Sequence, residues 1–237
     1  MWPFTSSLPA TALAALPKAF GSAEMIKEAL DWQKAESILI RGGSTAIGLA
    51  VAALAKADGL LVVGTTRSTA KAEQMLGGDF DHVVVDDGEI SGKVLESLPG
   101  GVGAAVEMLG FPWVQDTLRC VRPLGTVCMV GILAEQSASR STGTPQDRLA
   151  PVAPSPQWFI PAGVRLTTAM QNGVTRMKVP EPSLNHMQEW VDLLEAGRMR
   201  FPLHSVLPLE SVSEAYALLE NTDRIGRITL TVSHPAD

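Results

Sequence analysis

Gly42-Gly43-Ser44-Thr45-Ala46-Ile47-Gly48 lies between an apolar run, Ser37-Ile38-Leu39-Ile40-Arg41, and a small-residue segment that reaches about Lys56. The pattern reads as a strand, a glycine turn and a helix. Glycines at such a turn let an anionic group come close to the backbone, and the helix N-terminus meets it with unpaired N–H groups. A second apolar run, Leu60 to Gly64, ends in Thr65-Thr66-Arg67-Ser68, with Lys71 just beyond. In a strand–turn–helix–strand unit this second strand end faces an adenosine ribose. An acidic side chain there accepts from a free 2′-hydroxyl, whereas Thr, Thr, Arg and Ser suit a 2′-phosphate. The chemistry expected of these residues is the holding of NADP(H). Gly42, Ser44, Thr45, Ala46, Ile47 and Gly48 would serve its pyrophosphate, and Thr65, Thr66, Arg67, Ser68 and Lys71 its 2′-phosphate. Thr45 stands where a strict G-x-G-x-x-G would carry its middle glycine. The turn by itself would also suit a tight joint with no ligand, so the basic strand end is what favours the nucleotide.

The remaining chain supplies elements that can position such a turn. His82–Val85 reads as a third strand and 89–98 as its helix. Residues 102–110 read as a fourth strand, 114–121 as a helix, 125–131 as a fifth strand and 164–169 as a sixth. Strands alternating with helices predict an α/β fold, a doubly wound parallel (Rossmann) sheet with helices on both faces. Glycines ending strands one, four and five would share one rim, where ligands bind in such sheets. Leu109, Gly110, Val130, Gly131 and Ile132 therefore complete the candidate cofactor set, although Gly110 and Gly131 also suit simple turns. Leu184, Met187, Val191 and Leu194 recur at helical spacing beside Trp190 and read as a core stripe. Residues 211–219 form a last helix with Ser211 as its cap, and 226–232 a terminal strand. In domain terms, 1–30 is a lead-in segment and helix. Residues 31–170 are the nucleotide-binding core with a long loop at 133–160, and 171–237 complete the domain.

Composition narrows the partners. The 237 residues are 46% hydrophobic, enough for one large core, and the net charge of −6 disfavours nucleic acid and anionic membranes. No apolar run is long enough to span a membrane and no signal peptide is evident, so a cytoplasmic location is expected. Cys120 and Cys128 sit among apolar neighbours as small core residues, with no disulfide framework. The histidines are scattered: His82 opens a strand, His186 lies on a helix, His204 precedes a strand and His234 is in the tail. They suggest no metal site. No side chain stands out as a general acid. Tyr216, the single tyrosine, has Glu220 four residues on, so the Tyr-x-x-x-Lys pair of short-chain reductases is missing.

These features together resemble the nucleotide-binding half of a medium-chain dehydrogenase/reductase of the zinc-independent quinone-oxidoreductase or enoyl-reductase type. The resemblance rests on Ala14–Phe20, Ile38–Gly48, Thr65–Ser68, Pro123–Val127, Val130-Gly131, and Glu214-Ala215 through Gly226–Ile228, in that order. It covers roughly residues 8–232. It implies hydride transfer between NADPH and a small-molecule quinone or enone/enal, in a homodimer. Where the family has a Tyr-Thr-Ala-like segment before the first strand, this chain has Phe20-Gly21-Ser22-Ala23; where it ends in Gly-Lys, this chain has Gly226-Arg227. The family's N-terminal GroES-like domain would already have ended near Met1, so a truncated or fragment form with impaired turnover is expected. A non-enzymatic NADP(H)-binding redox sensor or partner subunit is the alternative. A methyltransferase-like domain would want an acid where Thr65-Thr66-Arg67 stands.

Overall fold

The computed structural model describes residues 5–131, 159–169, 186–220 and 224–232. Six strands, β1 (Ser37–Arg41), β2 (Leu61–Thr66), β3 (His82–Val85), β4 (Val102–Glu107), β5 (Val121–Met129) and β6 (Arg165–Thr167), form one sheet. Their order is β3-β2-β1-β4-β5-β6 and each pairing is parallel. This is the doubly wound order, and the direction of winding reverses between β1 and β4.

A parallel strand must bury both faces, and the sequence of β1 shows how. Ile38 and Ile40 enter the core on one side of the sheet, while Leu39 enters the core on the other. Helices α2 (Leu16–Leu30) and α3 (Ala46–Ala57) cover the first side, joined by α7 (His186–Glu195). Helices α5 (Ser91–Ser97) and α6 (Phe111–Arg119) cover the second. The remaining helices are α1 (Ala10–Leu13), α4 (Thr69–Leu76) and α8 (Val212–Glu220). The alanine-rich α3 has its run from Gly48 to Ala55 buried, and short side chains let it lie close to the sheet. Phe20 of α2 packs at a tilt against Trp190 of α7 and edge-on against Phe201, at centroid distances of 5.4 and 4.9 Å. The stripe expected around Trp190 is core at Met187 and Val191, both buried.

Several boundaries differ from expectation, four of them with a clear physical reason. β2 runs on to Thr66 because Thr65 and Thr66 still pair with Val84 and Val85. The fourth strand stops at Glu107, whose side chain captures the next turn. Pro112 starts α6 at Phe111 rather than at 114, since proline at the first helical positions loses no hydrogen bond. β5 then begins at Val121, opposite Val102, and is broken at Leu124, which takes a left-handed φ of 69°. The terminal strand β8 (Arg227–Thr231) does not join the main sheet. It pairs in parallel with β7 (Leu203–Pro208) in a two-stranded sheet. His204 therefore lies inside a strand rather than before one. Ser211 ends a 3-10 turn, Leu209–Ser211, that leads into α8. Ile132, most of the 133–160 loop, Leu184 and His234 lie outside the described residues. No helix among the described residues is long and apolar enough to cross a membrane.

Candidate functional site

The turn after β1 owes its shape to two glycines. Gly42 has φ +87°, a left-handed value that disfavours any side chain. Gly48 sits where a Cβ would come within 2.7 Å of the Gly42 and Gly43 carbonyl oxygens, so only a glycine lets α3 start this close to the turn. Thr45 caps the helix: its Oγ1 accepts from the Gly48 N–H at 3.0 Å. Its hydroxyl also donates to Met108 Sδ at 3.2 Å, tying the turn to the end of β4. The first-turn N–H groups of Ala46 and Ile47 face out of the helix end, as such groups do, and are available to an anion.

The end of β2 lies beneath this turn. The Thr65 Oγ1 accepts from the Gly42 N–H at 3.1 Å, and the Gly43 N–H donates to the Thr65 carbonyl at 3.0 Å. Thr65 and Thr66 are buried; the Thr65 side chain supports the turn from below, while the Thr66 Oγ1 accepts from the Ser68 N–H at 3.3 Å. Arg67 is exposed and Ser68 caps α4, accepting from the Lys71 N–H. A cation and a hydroxyl thus stand at the rim with no acidic neighbour from 65 to 72.

The β4 and β5 ends close the same rim. Leu109 and Gly110 donate their N–H groups to Glu107 Oε1 at 2.6 and 3.2 Å. Val130 and Gly131 donate theirs to the Glu107 carbonyl at 2.9 and 3.2 Å. A Cβ on Gly131 would fall 1.6 Å from the Met108 carbonyl oxygen, so glycine is required there for strand approach, beyond any turn. A Cβ on Gly42 would lie 3.3 Å from that of Met108. The expected residues Gly42, Thr45, Thr65, Leu109, Gly110, Val130 and Gly131 are therefore one connected rim.

A buried ionic cluster under this rim is not apparent from the sequence. Arg41 is fully buried. It forks onto Asp86 (Nε to Oδ2 2.9 Å, Nη2 to Oδ1 3.1 Å) and reaches Asp116 Oδ2 at 2.9 Å. Glu107 Oε2 lies 3.9 Å from its Nε. Burial pushes the Glu107 carboxyl above its usual range, outweighing the Thr117 hydroxyl, the Leu109 N–H, Arg41 and the Gly110 N–H, which favour the charged form. Burial also works against ionised Asp116, but the Ile90 and Ser91 donors and Arg41 hold it below the usual carboxylate range. The only sequence signal was an arginine at the end of an otherwise apolar strand. Cys120 and Cys128 are buried, and burial pushes both thiols up to about 12. Among the described residues no group of His, Cys, Asp and Glu is placed to hold a metal ion.

A six-stranded doubly wound sheet with a glycine turn capped onto its first helix defines a Rossmann-like α/β fold. Residues 46–150 match the zinc-binding dehydrogenase family. The chain is 25% identical over 203 residues to a quinone oxidoreductase from Pongo abelii, covering 82% of this chain and 54% of that protein. It is 29% identical over 111 residues to the NADP-dependent oxidoreductase RED1 of Cochliobolus heterostrophus, covering 46% of this chain and 32% of the relative. The crystal structure of AibC superposes with a TM-score of 0.76 at 25% identity, over 98% of this chain and 59% of that one. The chain thus spans from about a third to about three fifths of the length of these relatives. The resemblance read from the sequence is borne out by these similarities: the chain is similar to zinc-binding dehydrogenases over residues 46–150, to a quinone oxidoreductase and to AibC.

Proposed function

We propose that this chain is the NADP(H)-binding part of an oxidoreductase that reduces a quinone or an α,β-unsaturated carbonyl. The observation that carries the reading is the rim itself: an exposed Arg67 beside a half-buried Ser68, with no acid in the sequence from 65 to 72, next to a capped glycine turn. Gly42, Ser44, Thr45, Ala46, Ile47 and Gly48 form the pyrophosphate turn: the N–H groups of Gly42, Thr45 and Gly48 shape it internally, and those of Ala46 and Ile47 at the start of α3 face the anion. Arg67, Ser68 and Lys71 hold the 2′-phosphate, with Thr65 and Thr66 beneath them. Leu109, Gly110, Val130 and Gly131 border the nicotinamide half; Ile132, expected with them from the sequence, lies outside the described residues. Bound NADPH would supply a hydride from its nicotinamide to an electrophilic carbon of the substrate. The residues of this chain orient the cofactor, and none is assigned as a proton donor. The relatives named for quinone and NADP-dependent chemistry support the substrate class.

Cofactor titration tests the reading. Charge-assisted hydrogen bonds contribute about 1.5–3 kcal/mol each, so NADPH should bind about ten- to a hundredfold more tightly than NADH. Arg67→Ala should remove most of that preference. Equal affinity of the unaltered chain for both cofactors would overturn it. Because the 237 residues correspond to about half of the quinone oxidoreductase, turnover by this chain alone should be slow and weakly saturable across a quinone and enone panel. A non-enzymatic cofactor-binding role would show tight NADPH binding with no oxidation under any acceptor.

A further inference from the structure

Arg41 directs its guanidinium at the turn after β3 and at helix α6, beneath the rim. Besides its fork onto Asp86, Nη2 donates to the Gly88 carbonyl at 2.9 Å. Nη1 donates to Asp116 at 2.9 Å, the Trp113 carbonyl at 3.1 Å and Thr117 Oγ1 at 3.2 Å. The Trp113 ring lies 5.5 Å from its Cζ.

Its three side-chain acceptors, Asp86, Asp116 and Thr117, in turn hold neighbouring segments. Asp86 Oδ1 accepts from the Gly88 N–H at 3.0 Å, shaping the turn after β3. The Thr65 hydroxyl bridges onward, donating to Asp86 Oδ2 at 3.4 Å while accepting from Gly42 N–H. Asp116 takes the Ile90 and Ser91 N–H groups at 2.8 and 3.2 Å, fixing the start of α5. Thr117 donates to Glu107 Oε2 at 2.5 Å, and Glu107 Oε1 fixes Leu109 and Gly110. From its place on the central strand β1, one side chain thereby joins the ends of β1, β2, β3 and β4.

Burying three carboxylates around one guanidinium is an inefficient route to stability, because apolar residues of the same volume serve a core at least as well. What such a cluster provides is geometry: five N–H donors in a rigid plane, each with a directional acceptor. In a doubly wound sheet, β2 and β3 flank the adenosine half of a dinucleotide and β4 and β5 the other half. We propose that Arg41 is a positioning residue for the cofactor, holding the adenosine-side and nicotinamide-side turns in register across the point where the sheet reverses its winding. The inference rests on the NADP(H) reading above.

The full chain with Arg41→Lys tests it. Lysine keeps the charge but has one donor centre and cannot reach Asp86 and Asp116 together. Folded fraction is set by circular dichroism and urea unfolding. Affinity is measured for NADPH and for 2′,5′-ADP, which engages the adenosine side alone. The expected result is a rise in the NADPH Kd of about tenfold or more, with a smaller rise for 2′,5′-ADP. A folded variant whose NADPH Kd stays within about twofold of the unaltered chain would overturn the proposal, whatever its loss of stability. So would equal losses for both ligands. Should Arg41→Lys fail to fold, Asp116→Asn and Thr65→Val each cut one branch and are read by the same criterion. An unaltered chain that binds neither ligand overturns the cofactor reading itself, and this proposal with it.

Discussion

Replacing Gly48 by alanine probes the cofactor cradle with a single methyl group. Its Cβ would meet the carbonyl oxygens of Gly42 and Gly43 at 2.7 Å and the Gly43 Cα at 2.8 Å. All three are backbone atoms, so no side chain can turn aside to make room. Either α3 withdraws from the turn or the turn flattens. Overpacking of this kind costs about 1–3 kcal/mol of stability. The larger consequence falls on binding, because the Thr45 cap and the Ala46 and Ile47 N–H groups move with the helix. Losing one charge-assisted contact to a pyrophosphate, about 1.5–3 kcal/mol, raises the NADPH Kd roughly ten- to a hundredfold. Gly43→Ala is the internal control. Its Cβ would meet Met75 Cε at 2.8 Å and Phe80 Cε1 at 3.0 Å, and the methionine end can swing away. It should cost less in both respects. Fluorescence titration with NADPH and urea unfolding of both variants provide the measurement. A Gly48→Ala chain with unchanged unfolding midpoint and unchanged NADPH affinity would refute the close-approach argument.

Three further outcomes follow from the same geometry. Asp116→Asn should destabilise the chain by about 3 kcal/mol at neutral pH, because it strips a partner from buried Arg41. Since Asp116 is held below its unfolded value near 3.9, its contribution is complete above that value and is lost as pH falls through the lower folded one. The stability gap between the two proteins should close below about pH 4, and a gap that persists into acid would contradict the assignment. Cys120 and Cys128, buried with thiols pushed up to about 12, should resist a disulfide reagent in the native chain and both react once it is unfolded; rapid native labelling would show the core is more open. The three-residue β6 stands at the edge of the main sheet, and pairing of such edges across a two-fold axis predicts a dimer by light scattering. A monomer at micromolar concentration would remove that prediction.

Local pattern was enough for the elements that carry the rim. An apolar five-residue run with a glycine turn after it makes β1 and the start of α3, and alternation of such runs with helical spacing makes a parallel sheet. These signals are local because hydrogen-bond periodicity and backbone freedom act over a few residues. Boundaries slipped where a distant residue decided them: β2 was lengthened by Val84 and Val85, and β5 was started early by Val102. The two-stranded sheet of β7 and β8 shows the same limit, since a strand pattern does not name its partner. The ionic cluster lies furthest from what residues in order can reveal. Arg41 meets Asp86, Glu107 and Asp116 only because the ends of β1, β3 and β4 and the body of α6 converge at one place. Charge pairing is set by separation in space, and the sheet order that brings these residues together exists only in the folded chain.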